Sequence, residues 1–177
     1  VVLPNLTGWT GGSDKYMKIT YFGSIKREGI EKDILTSLKK KAEVFAFDIK
    51  EFKIDKLIEK ANESDMFLFH GSMINTDNLT FYLLLEQLGK ILDSIKTKKV
   101  LWFYEKIWKM NFQVLLSLID KADQIFINDD TWLRRFDSPK MFPLHLAAPE
   151  KSYKGKFRKE YECDIAFIGN IYEERVQ

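Results

Sequence analysis

The sequence predicts an α/β fold in which an open parallel sheet carries helices on both faces. Three observations lead there. Short apolar runs alternate with amphipathic stretches along the chain, several of those runs are apolar on both faces, and the links between them are short. Strands buried on both faces read as continuous apolar runs, and parallel strands need a crossover, normally a right-handed helical one. Repeated strand-helix units therefore imply a layered α/β sheet.

The elements follow in order. Residues Val1 to Tyr16 have turn composition, with Pro4, Gly8, Gly11 and Gly12, and Met17 opens a strand, so 1–16 reads as a leader, tag or linker. Lys18 to Phe22 is the first strand, and Ile30, Ile34, Leu35 and Leu38 recur at helical spacing up to about Lys41. Ala42 to Phe47 is the second strand, followed by a short helix marked by Ile54, Leu57 and Ile58. Met66 to His70 is the third strand, stopped by Gly71. Asn78 is suited to cap the longest helix, whose Phe81, Leu84, Leu85, Leu88, Ile91, Leu92 and Ile95 form one apolar stripe. Lys99 to Tyr104 is a central strand; Val114, Leu115, Leu118 and Ile119 mark a helix; Gln124 to Asn128 is a strand; Thr131 to Phe136 is a short helix. Met141 to Leu144 reads as a last short strand before a loop from Ala147 to Glu160. The whole is Rossmann-like over 17–160, and 161–177 reads as a crossover strand opening a second domain that is missing from this chain. In such sheets ligands bind beyond the carboxyl ends of the strands.

Composition narrows the function classes. A chain of 177 residues with 45% hydrophobic and 31% charged residues has the make-up of an ordinary globular domain rather than a disordered one. Its 28 basic and 26 acidic residues are scattered and leave a net charge of +2, so charge points neither to nucleic acid nor to an acidic membrane. The lone Cys163 cannot form an internal disulfide, no apolar run reaches membrane-spanning length, and no signal-peptide pattern opens the chain. A cytoplasmic protein without a membrane span is the expectation. His145 has no metal-ligand spacing around it, and no metal site is read.

Candidate chemistry sits at predicted strand ends. Gly23-Ser24-Ile25-Lys26-Arg27-Glu28-Gly29 is a loop entering a helix, where backbone N–H groups attract phosphate and Arg27 adds charge. It matches neither the dinucleotide fingerprint nor the P-loop, and a plain connecting turn is the competing reading. His70-Gly71-Ser72 gathers an imidazole, a backbone turn and a hydroxyl, fit to hold a sugar hydroxyl or a leaving phosphate; a satisfied strand-end histidine is the alternative. Glu105, Asn128 and Asp129 supply carboxylates and an amide at two further strand ends. Asp129 and Asp130 read first as caps of the helix that follows. His70, Glu105 and Asp129 are the candidate acid–base residues, with none preferred.

The tail carries a resemblance. Phe142-Pro-Leu-His-Leu-Ala-Ala-Pro149, followed after a spacer by Glu162-Cys-Asp-Ile-Ala-Phe-Ile-Gly169-Asn-Ile-Tyr-Glu-Glu-Arg175, resembles the mid-chain region of CgeB-like, spore-maturation-type glycosyltransferases. Only this final third is specific at the level of motifs. The resemblance implies the amino-terminal, mainly acceptor-side half of a GT-B enzyme, with donor contacts largely in the missing second Rossmann-like domain. It implies transfer from a nucleotide-diphosphate sugar to a glycan, protein or small-molecule acceptor, with no cofactor and usually no metal. By that likeness Gly23 and Ser24 approach the donor phosphates, and Gly169, Asn170 and Arg175 cross into the second domain. Tyr104-Glu105 departs from the family, where an aspartate is common. The competing class is a flavodoxin-like or receiver-like binding module without catalysis; Phe22-Gly23-Ser24 lacks the acidic cluster of a receiver.

Overall fold

A computed structural model describes residues 16–25, 30–71, 78–103, 112–128 and 130–144. The chain divides into two units, Val1–Ala147 and Ala148–Gln177, and every described residue belongs to the first. Its elements run β1 (Lys18–Gly23), α1 (Ile30–Lys39), β2 (Glu43–Asp48), α2 (Ile54–Asn62), β3 (Met66–Gly71), α3 (Asn78–Ser94), β4 (Lys98–Phe103), α4 (Phe112–Lys121), β5 (Gln124–Ile127), α5 (Asp130–Phe136) and β6 (Met141–Pro143). The six strands form one all-parallel sheet in the order β2-β1-β3-β4-β5-β6. This is the expected Rossmann-like α/β class. The order is that of flavodoxin-like doubly wound sheets, extended by a sixth strand.

Handedness decides which face each helix takes. Only the β1-to-β2 step moves toward one sheet edge, so right-handed crossovers put α1 alone on one face and α2 to α5 on the other. The two cores bear this out. Leu57 and Ala61 of α2, Leu85, Leu88, Ile91 and Leu92 of α3, and Leu118 and Ile119 of α4 pack on Phe22, Phe67, Phe69, Leu101, Phe103, Ile125 and Ile127. Ile34, Leu35 and Leu38 of α1 meet Ile19, Tyr21, Leu68 and Val100 on the opposite face. Alternate residues of a strand point to opposite faces, which is why Tyr21 and Phe22 enter different cores.

Several polar groups buried by this packing are paired. Thr20 Oγ1 lies 2.8 Å from Ser64 Oγ, Ser64 Oγ donates to the Lys60 carbonyl, and Thr97 Oγ1 donates to the Ser64 carbonyl. At the amino edge, Asp65 accepts from the Lys18 N–H and Asp123 from the Lys99 N–H, each at 2.7 Å. Lys140 Nζ donates to the carbonyls of Ile119 and Asp120, a cation placed at the carboxyl end of α4 where the helix dipole favours it. Among the described residues no helix is long and apolar enough to cross a membrane.

Candidate functional site

The strand order reverses between β1 and β3. From β1 the chain goes on to β2 and from β3 to β4, in opposite directions along the sheet, which makes the carboxyl ends of β1 and β3 the switch point at which such sheets take ligands. The described candidates that meet there are Gly23 and Ser24 after β1, and His70 and Gly71 at the end of β3. Gly23 and His70 are partners in the strand register. Asn128 follows β5 at the same carboxyl edge, two strands from β3, with its N–H donating to the Phe103 carbonyl at the end of β4. Arg27, Ser72, Glu105, Asp129, Gly169, Asn170 and Arg175 lie outside the described residues, as do segments 1–15 and 145–177.

His70 sits in a row of rings on the α1 face. The Tyr21 hydroxyl lies 2.9 Å from His70 Nδ1, and the Trp102 ring lies 4.7 Å from the imidazole, centroid to centroid. The imidazole is 1% exposed. Burial lowers its pKa from the usual 6.5 to about 4, although the charge of Glu31 works in the opposite direction. The ring is therefore neutral near pH 7. A neutral imidazole brings no positive charge to a leaving phosphate; enclosed as it is, the ring braces the end of β3 through Tyr21. The Trp102 indole N–H is buried without a hydrogen-bond partner among the described residues.

Gly23 has a packing reason to be glycine. A Cβ there would stand 2.7 Å from the Tyr21 hydroxyl and 2.9 Å from the His70 carbonyl oxygen. The missing side chain leaves the channel through which the phenol reaches the imidazole. Gly71 has the same character, since a Cβ would meet the Phe69 ring at 2.7 Å.

Two residues at this edge escaped the sequence reading. Asp48, 4% exposed at the end of β2, accepts from the Ile25 N–H at 3.2 Å and from the Lys50 N–H at 2.8 Å, and so holds the segment after β1 against β2. An aspartate at a strand end that receives the N–H two residues on is a turn signal visible in sequence. Glu31, also 4% exposed, lies in the first turn of α1 and acts on His70 by its charge. Acidic residues are common in first turns, and nothing in the sequence marks this one as buried. Among the described residues no group of three or more His, Cys, Asp or Glu side chains could hold a metal ion.

No protein-family model matches the chain, and a search of curated proteins returned no match. Among solved structures the chain is similar to an α-glucosyltransferase in complex with UDP and a 13-mer DNA containing a central A:G mismatch, with TM-score 0.49, 17% identity, and coverage of 72% of this chain and 40% of that one. It is also similar to an α-glucosyltransferase in complex with UDP-glucose and DNA containing an abasic site, with TM-score 0.48, 16% identity, and coverage of 72% and 42%. The chain spans about two fifths of the length of both. At these scores the likeness carries no weight for function, and the chain's own residues must supply it.

Proposed function

We propose that the chain forms the amino-terminal, mainly acceptor-side domain of a GT-B-type glycosyltransferase, which moves a sugar from a nucleotide-diphosphate donor to an acceptor. The observation that supports it most is the meeting of Gly23, Ser24, His70 and Gly71 at the β1–β3 reversal, the position where doubly wound sheets take ligands. A neutral imidazole bonded to a phenol braces the end of β3 beside that position. The CgeB-like affiliation rests on the tail motif alone and is part of the proposal. On this reading a second domain forms the other wall of the cleft and holds most donor contacts. Transition-state stabilisation needs groups from both walls, so residues 1–177 alone do not turn over.

The test is a transfer assay with protein made from the whole reading frame, a set of nucleotide-diphosphate sugars and a range of acceptors. Those acceptors are glycans, peptides, small hydroxyl compounds and duplex DNA, because a net charge of +2 does not by itself decide against nucleic acid. Sugar transfer by the whole protein and none by residues 1–177 is the expected result; no transfer from any donor overturns the reading. The strand order favours one competitor, a flavodoxin-like binding module. It would bind a ligand in the same assay without consuming it.

A further inference from the structure

The two edges of the sheet are built differently. At one end β6 has only three residues and finishes on Pro143, which offers no backbone donor. Shortness and proline are standard ways to blunt an edge against pairing. At the other end β2 has six residues, Glu43-Val-Phe-Ala-Phe-Asp48, with no proline and with charge only at its two ends. Among the described residues no strand pairs with its outer side, although its last residue, Asp48, is bridged there by Glu51. Glu43 donates its N–H to the Met17 carbonyl and Ile49 donates its N–H to the Gly23 carbonyl. Backbone groups alternate along a strand, so the N–H and C=O of Val44 and Ala46 face outward. The same edge borders an open groove of about 490 Å³, lined by β2 and by Lys56, Glu59 and Lys60 of α2.

We propose that this edge is an interface at which a second copy of the chain adds its own β2, antiparallel, to continue the sheet. The strand is self-complementary. A two-fold axis through Phe45 sets Val44 opposite Ala46 of the second copy, where the outward N–H and C=O groups of both residues find partners, and it pairs Phe45 with itself. The same axis brings Glu43 of the second copy opposite Phe47, beside Lys56. Glu43 is exposed, and Lys56 has no ion-pair partner among the described residues. Each copy thus sets a carboxylate beside the other's Lys56, which an unrelated strand would not do by construction. Lys60 is already committed to Glu63 at 2.6 Å and to the face of Phe45.

The experiment is light scattering and sedimentation of the 177-residue chain over a range of concentrations, with circular dichroism to confirm folding of each variant. The wild type forms a concentration-dependent dimer. Ala46→Pro removes an outward donor without touching a bond to β1 and weakens the dimer about tenfold or more, since the loss occurs twice per dimer. Glu43→Lys weakens it comparably by facing Lys56, and Glu43→Lys with Lys56→Glu restores it. A chain that stays monomeric at every concentration overturns the proposal. So does a dimer indifferent to Glu43→Lys, which must use another face, or one that the charge swap fails to restore.

Discussion

The Tyr21 hydroxyl and His70 Nδ1 face each other at 2.9 Å from neighbouring strands, both buried, with no chain connection shorter than the whole of α1, β2 and α2 between them. Replacing tyrosine by phenylalanine leaves a buried imidazole nitrogen without that partner. Tyr21→Phe is expected to cost about 1–2 kcal/mol in urea unfolding, most of it the penalty for the unpaired nitrogen rather than the lost bond itself.

Gly23→Ala tests the clearance that makes this bond possible. The new methyl would overlap the phenol, and the expected loss is about 1–3 kcal/mol, as for overpacking of a tight core. Combining it with Tyr21→Phe removes the nearest clashing atom, so the double variant should lose less than the two single losses added together. Strict additivity in that cycle would show that Gly23 is required for another reason.

The pH dependence of stability follows from the same residue. Above pH 6.5 the imidazole is neutral in the folded and unfolded chain alike. Between 6.5 and about 4 the unfolded chain takes up a proton that the folded chain refuses, so stability falls as pH falls through that window. The full span amounts to roughly 3 kcal/mol on the general conversion of pKa difference to free energy. His70→Gln should lack this component, read as the difference between the two unfolding profiles; parallel profiles from pH 7 to 4 would contradict it.

Asp48→Ala removes the acceptor for the N–H groups of Ile25 and Lys50. The expected destabilisation is about 1–3 kcal/mol, with faster amide exchange at Ile25 and Lys50 than at the centre of β1. Unchanged exchange at both amides would mean that Asp48 does not hold the segment after β1.

How far the sequence could be read depended on what each feature rests on. The strands and helices were legible because β1 and β3 are apolar on both faces and α3 carries a stripe at helical spacing. Ends shifted slightly: α1 stops at Lys39, since Lys41 donates to the Leu38 carbonyl in a turn, and α3 begins at Asn78 rather than after it. Strand order was not legible, because periodicity marks a crossover but not which neighbour it reaches. That order is what turns Gly23 and His70 into register partners and sets Asn128 two strands away along the same edge. The position of His70 at a strand end could be read; its burial and its bond to Tyr21 depend on a contact between residues 49 apart in sequence.

The central claim is that the β1–β3 edge serves sugar transfer, and the most direct measurement is the rate of labelled-sugar transfer by the whole reading frame with and without His70→Gln. The account predicts transfer by the wild type and a fall of about tenfold or more in a variant shown to be folded, the scale of one lost hydrogen bond that positions the binding edge. Transfer at an unchanged rate by folded His70→Gln protein would contradict it.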